Sequence, residues 1–562
     1  MHSPVLSVPA KRASGWVAET DPKYARPWLE SLPLASSAEA AREIYQALYT
    51  VNRLELAGPR RRELMALYEA PIAVVCNGLQ AHLVHAAQPL TPKKRQLAEF
   101  IRRLQIEMAF GYKWCLRDLA AARFLWGKDD LLLHAAERAL YYLREVLARS
   151  YQVYMPHPAE VWKEIHEIYR FMEARELSAK PIDVRTETGV HAMTVKDRYV
   201  QALLLGVAQP YQLPQGACQQ LCRFLEGWGG RAELMPVAPV ANPVGHFVVD
   251  LSADAPPTPY PRESLPAGDA HLRILNAMNL VRAVQGLGAR LKKGERVADL
   301  QLGFDCREDA CSDLLQRMVS AWGLIPRRRY QRLRRNSHIS VCVGLPAVHF
   351  FAGNQTPLSM PADDEPIGPL ALSPDDGVQA NVDHEQLDRA ALGTIARKAA
   401  VDTIVPPSPS FRLDRWHVRD GNPQGMLLAR YGDVGGSVRV GDLLGLHQAG
   451  SARWTAAVVR WLKSPEGQSL ELGVETLAVG VTPVAVRGEG TTYQHALLVP
   501  STSAPPRPAT LLVPRGTYAA HQTLYVAEQG RPLRPVRPLQ LVERTVAYDR
   551  IAFADAAADA AG

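Results

Sequence analysis

Six arginines crowd into the nine residues Arg327-Arg328-Arg329-Tyr330-Gln331-Arg332-Leu333-Arg334-Arg335. Burying so many guanidinium groups would require several anions to pair with them. The run is therefore either a solvated interdomain linker or a segment that grips an anionic ligand. Arginine offers planar, bidentate recognition of phosphate and can also donate to the edge of guanine. Further along stands Asp420-Gly421-Asn422-Pro423-Gln424-Gly425, between Trp416-His417-Val418 and Met426-Leu427-Leu428. This pattern predicts a tight loop joining two strands. Asp420 and Asn422 supply short acceptor and amide groups, and Gly421 and Gly425 would tolerate positive φ and allow close backbone approach.

Three further segments follow in order: Val440-Gly441-Asp442, Val459-Arg460-Trp461 and Leu472-Gly473-Val474. Together the five segments resemble the PilZ family of cyclic di-GMP receptors, over roughly residues 324–477. Arg327-Arg328-Arg329-Tyr330-Gln331-Arg332 matches that family's RRxxxR segment, and Asp420-x-Asn422-x-x-Gly425 its [DN]xSxxG loop, with Asn422 in place of Ser. The resemblance implies a six-stranded antiparallel β-barrel. It also implies that Arg327, Arg328 and Arg332 hold the phosphates and guanines of cyclic di-GMP, while Asp420, Asn422 and Gly425 form the second half of the site. Asn422 keeps a polar group but is larger than Ser and loses the hydroxyl.

Other chemistry is poorly served. There is no GxSxG, Walker-type GxxxxGK[ST], HExxH or GxGxxG motif. His417 reads as a strand bystander, and Asp376, Asp383 and His384 fall in a stretch where nothing fixes their geometry. The seven cysteines, including Cys218/Cys222 and Cys306/Cys311, lack zinc-site spacing and predict reduced thiols. Neither a metal nor a cofactor is expected.

These residues need a scaffold, and the 562-residue chain is long enough for two to four domains. Charged residues make up 22%, and the net charge of +7 is small for this length. From Ser37 to Leu225 apolar residues recur at helical spacing, predicting helices over 38–56, 60–85, 92–125, 128–152 and 159–176, broken at Gly and Pro. Thr91-Pro92 predicts an N-cap followed by proline in the first turn. A mixed segment follows, with strands near 232–237 and 246–251 and helices over 271–291 and 312–324. Beyond residue 327 short strands dominate, interrupted by a polar insertion at about 353–409 that carries one possible helix, 385–399.

The expected architecture is multidomain α+β. It comprises an N-terminal extension (1–36), an α-helical bundle or solenoid-like domain (37–230), a mixed middle segment (231–323) and a PilZ-like barrel (324–487). A β extension and disordered tail (488–562) end it. No stretch qualifies as a membrane span or signal peptide, so a cytoplasmic protein is expected. The function expected is a non-catalytic cyclic di-GMP receptor that signals through its helical domain to a protein partner. Two alternatives use the same residues: a PilZ module that has lost nucleotide binding and serves protein interaction, or a nucleic-acid binder using the arginine run. The absence of other basic stripes and of stacking aromatics beyond Tyr330 speaks against the latter.

Overall fold

A computed structural model describes residues 4–12, 19–122, 127–186, 189–261, 265, 268–323, 331–355, 411–432, 436–465, 469–488, 491–503, 506–520 and 522–556. The chain divides into two compact units, one of residues 1–86 and 90–328, the other of residues 87–89 and 329–562.

The first unit is mainly helical: α1 (Pro22–Ser31), α2 (Ser37–Val51), α3 (Gly58–Ala81), α4 (Pro92–Ala121), α5 (Lys128–Gln152) and α6 (Val161–Glu173). Thr91 does cap α4, its Oγ1 accepting from Lys94 N–H at 3.4 Å. The segment expected as an N-terminal extension contains α1, started by Asp21, whose Oδ1 accepts from Lys23 N–H at 3.0 Å. By length and composition alone α3 is apolar enough to cross a membrane, a test that a buried core helix also passes. Its Leu64, Met65, Tyr68, Ile72, Val75 and Leu79 are buried in the helical core.

The expected run of helices is interrupted by a hairpin of β1 (Ile182–Thr186) and β2 (Gly189–Met193), where Ile182-Asp183-Val184 alternates with period two. A Thr194/Asp197 capping box then starts α7 (Val195–Val207), and α8 (Ala217–Trp228) follows. Next come β3 (Glu233–Pro236), β4 (His246–Asp250), β5 (Thr258–Pro259) and β6 (Leu272–Asn276), forming one sheet in the order β3-β6-β4-β5. Residues 272–276, expected to open a helix, are thus an inner strand. Asn276 Oδ1 accepts from Met278 N–H at 3.0 Å and turns the chain into α9 (Met278–Lys292). In α10 (Glu308–Gly323) the first turn carries Cys311, which pairs with Cys306 as a disulfide. This corrects the expectation of seven reduced thiols: the turn into α10 brings the two Cα atoms to 5.6 Å, within bridging range. The other five cysteines are free and buried.

Charge is buried in this unit as well. Glu137, fully buried, accepts from Arg198 Nε at 2.8 Å and from Arg138 Nη2 at 2.8 Å. Burial pushes its carboxyl up, but the two guanidinium groups outweigh that and hold it at about 2.

The second unit begins with β7 (Leu333–Val343), α11 (Leu345–Ala352), β8 (Asp414–Asn422), β9 (Gly425–Arg430), β10 (Leu443–His447), β11 (Thr455–Lys463) and β12 (Leu470–Val479). Its strands close a six-stranded antiparallel barrel, β10-β11-β12-β9-β8-β7. The next strands are β13 (Thr482–Gly488), β14 (Gln494–Val499), β15 (Thr502–Ser503), β16 (Pro506–Arg507), β17 (Thr510–Pro514), β18 (Leu524–Ala527), β19 (Arg534–Arg544) and β20 (Tyr548–Asp555). Expected as an extension, they form a second closed barrel, β13-β14-β17-β20-β19-β18. Helix α11 joins the two: its Leu345, Val348 and Phe351 share a core with Val458 and Leu477 of one barrel and Leu497, Leu512 and Tyr548 of the other. The expected insertion, helix 385–399 included, and the expected tail lie outside the described residues, apart from the insertion's flanks.

Candidate functional site

The arginine run leads into β7, and the Asp420 segment ends β8. The antiparallel register sets Leu333 opposite Gly421 and Arg334 opposite Asp420. From just ahead of the strand, Arg332 Nη1 donates to Asp420 Oδ1 at 3.1 Å, both side chains remaining partly exposed at 32% and 24%. One residue from each half of the expected site is thus in direct contact. Arg327 and Arg328 lie outside the described residues.

The loop is tighter than its sequence suggests. Asn422 is the last residue of β8 and Gly425 the first of β9, leaving Pro423-Gln424 as the turn. Asn422 Oδ1 accepts from the N–H of Gln424 at 2.9 Å and of Gly425 at 3.0 Å, an Asx turn that closes the hairpin. Neither Gly421 nor Gly425 has positive φ, so the expected reason for these glycines needs correction. A Cβ on Gly425 would run into the backbone carbonyl of Val474 in β12. Glycine is needed for strand-to-strand approach there, and Gln424 O accepts from Thr476 N–H at 2.9 Å beside it.

The remaining motif residues divide between scaffold and junction. Trp461 packs over Gly473, where any side chain would collide with the indole. Arg460 donates to Glu475 at 2.7 Å and to Glu543 on β19. Burial alone would lower the Arg460 pKa, but Glu543 and Glu475 raise it well above the usual value. Gly441, at φ +94°, sits against Thr545 and Val546 of the second barrel. Next to it, burial pushes the Asp442 carboxyl up to about 6, despite a hydrogen bond accepted from Arg439 N–H. Cys115 and Cys342 are free and buried, which drives both thiols up to about 12 and fits the reduced state expected of them.

Sequence reasoning passed over several residues beside the site. Arg334 and Arg335, outside the motif spacing, are exposed on β7, and the Arg335 stem comes 3.9 Å from a Cβ built on Gly421. His417, expected to be a bystander, lines a cavity of about 440 Å³ with His338, Arg415, Ala429, Arg430 and Tyr431. The signal was the period-two alternation of β8, in which buried Trp416 and Val418 leave Arg415 and His417 on the opposite face. Among the described residues no group of three His, Cys, Asp or Glu side chains could hold a metal ion.

Three family models match consecutive parts of the chain. They are "Cyclic-di-GMP receptor FimW, N-terminal domain" over residues 23–239, "Cyclic-di-GMP receptor FimW, middle PilZ domain" over 246–483 and "FimW C-terminal beta-barrel domain" over 479–556. The middle match starts at β4, well ahead of the compact-unit boundary at residues 328/329, so family and geometric divisions differ there. A curated relative, "Cyclic-di-GMP receptor FimW" of Pseudomonas aeruginosa, is 26% identical over 547 residues, covering 92% of this chain and 88% of the relative. No solved structure matches.

Proposed function

We propose, from the premise that this chain belongs to the PilZ family, that it is a non-catalytic receptor for cyclic di-GMP in the bacterial cytoplasm. The observation that carries the reading is the contact of Arg332 with Asp420. A guanidinium fixed beside a carboxylate is held at one angle, so less entropy is lost when it grips a phosphate. The carboxylate keeps lone pairs for the N–H groups of a guanine. Arg327 and Arg328 would close over the ligand from the preceding segment. The arginine segment lies between the helical domain and the barrel in sequence. Ligand binding there would bias the arrangement of the two and expose or hide a surface for a protein partner.

Titration calorimetry on the purified protein tests the reading. Cyclic di-GMP should bind in the micromolar range or tighter, with clear preference over GTP, GMP and cyclic di-AMP. Equal heats, or none, from all four would favour the second reading, a PilZ module acting in protein interaction alone. One observation favours that alternative: the Asn422 carboxamide oxygen is engaged within its own hairpin.

A further inference from the structure

The cavity lined by His417 and Arg415 lies on the same face of the barrel as Asp420, although simple alternation would put the two on opposite faces. Asp420 lies three positions after His417, an odd step, which inverts a side chain in a regular strand. A β-bulge intervenes: Val418 pairs with Leu428 and Asp420 with Leu427, leaving Arg419 as the extra residue. Asp420 therefore returns to the outer face with Leu427, His417 and Ala429, while Val418 and Leu428 are buried. Across the strands His338 pairs with His417, and His417 with Ala429, so one row runs over β7, β8 and β9. Glu471 continues the row opposite Ala429, its carboxylate occupied by Arg419 at 2.7 Å.

The row makes a cavity because Ala429 is small, and taller side chains stand around it. The His338 and His417 rings meet edge to face at 5.5 Å. His417 Nε2 is bonded to Asn336 Oδ1 at 2.6 Å, while its Nδ1 is buried with no hydrogen-bond partner among the described residues. Tyr431 is 65% exposed. Arg430 is tied to Asp414 at 2.7 Å, whereas exposed Arg415 has no ion pair among the described residues. An open aromatic ring, two imidazoles and an available guanidinium around about 440 Å³ suit a planar heterocycle with acceptor oxygens or nitrogens on its edge.

We infer that this cavity receives the second guanine of the ligand, with Arg415 donating to its O6/N7 edge and Tyr431 and His417 flanking the ring. The inference rests on the receptor reading above. At about 3.3 Å per residue, His417 stands about 10 Å and Arg415 about 16 Å from Asp420 along β8. A ligand of two joined nucleotides, held at one end by Arg332 and Asp420, would lay its far base along this strand. A mononucleotide would reach one end only, which supplies a physical basis for preferring the dinucleotide over GMP.

The test is calorimetry on the full chain with cyclic di-GMP, comparing wild type, Arg332→Ala, Arg415→Gln and Tyr431→Ala, with circular dichroism melts as the folding check. Arg415→Gln should weaken binding about tenfold, the loss of one charge-assisted hydrogen bond, and narrow the preference over cyclic di-AMP, which lacks the O6 acceptor. Tyr431→Ala should weaken it about fivefold or more through lost stacking. Both positions are exposed, so both melts should match wild type. If wild type and Arg332→Ala differ as a receptor site requires, but Arg415→Gln and Tyr431→Ala each change affinity less than twofold, the cavity is not part of the site. Wild type failing to bind would overturn the receptor reading and this inference with it.

Discussion

The carboxamide oxygen of Asn422 lies 3.0 Å from the backbone nitrogen of Gly425, the first residue of the next strand. The position where this chain leaves its family's motif is therefore the position that shapes the motif's own turn. Asn422→Asp keeps the accepting oxygen and should preserve the hairpin, whereas Asn422→Ala should lower barrel stability by about 1 kcal/mol. Asn422→Ser retains an oxygen for the turn and regains the hydroxyl, so cyclic di-GMP binding should hold or tighten. Thermal melts with parallel titrations distinguish turn from ligand contact. Equal behaviour of all three variants would remove Asn422 from both roles.

Gly425 is the more demanding position. Any side chain there meets the Val474 carbonyl, a backbone atom that cannot swing aside. Gly425→Ala should destabilise the barrel by about 1–3 kcal/mol, the usual range for overpacking, while Gly421→Ala, with ordinary contacts of 3.4–3.9 Å, should be milder. Denaturant midpoints of the two variants provide the check, and a reversed order would contradict the geometry.

Arg332→Ala and Asp420→Ala should each cost about tenfold or more in cyclic di-GMP affinity. Because the two side chains bond to each other, the double substitution should lose less than the product of the single losses. Arg328→Ala should weaken binding comparably. Uniform losses for Arg328, Arg332, Arg334 and Arg335 would instead indicate a diffuse electrostatic patch and favour a nucleic-acid ligand.

In the helical unit, Glu137 predicts a pH dependence. Its carboxyl is held at about 2 in the folded state, below its usual value of 4.5. The stabilisation is therefore fully present above pH 4.5 and is lost as the pH falls toward 2, amounting to about 3 kcal/mol. Glu137→Gln should destabilise the unit at pH 7 by a similar amount, because Arg198 is left buried and incompletely paired. It should also flatten the loss of stability on acidification. Helical ellipticity followed in urea at several pH values measures both effects, and an unchanged acid limb would rule out this carboxylate as the cause.

One contact of the candidate site was legible because it is written in residue types. An arginine run and an Asx-Gly hairpin carry their chemistry in the sequence, and Arg332 and Asp420 do meet. The bulge at Arg419 was not legible, since nothing in Val418-Arg419-Asp420 marks which residue will go unpaired. That depends on the register imposed by β9. The second barrel was hidden for a similar reason. Three of its strands, β14, β17 and β18, were visible as short apolar runs, but closure depends on β13 pairing with β18, as Ala485 does with Ala527, and no local pattern announces that partner. Helix α9 was foreseen, whereas β6 was not, because Leu272-Arg273-Ile274-Leu275 suits a helix until two neighbouring strands claim it.

Closure of both barrels has one more consequence. Every strand in a ring pairs on both flanks, but some over only part of their length: residues 340–343 of β7 pair with β10, whereas residues 333–339 have partners in β8 alone, leaving a short open ladder beside the arginine run. Among the described residues, a partner that docks by contributing a strand could add to that stretch of β7, to β3 or β5 at the margins of the small sheet, or to one of the two-stranded hairpins.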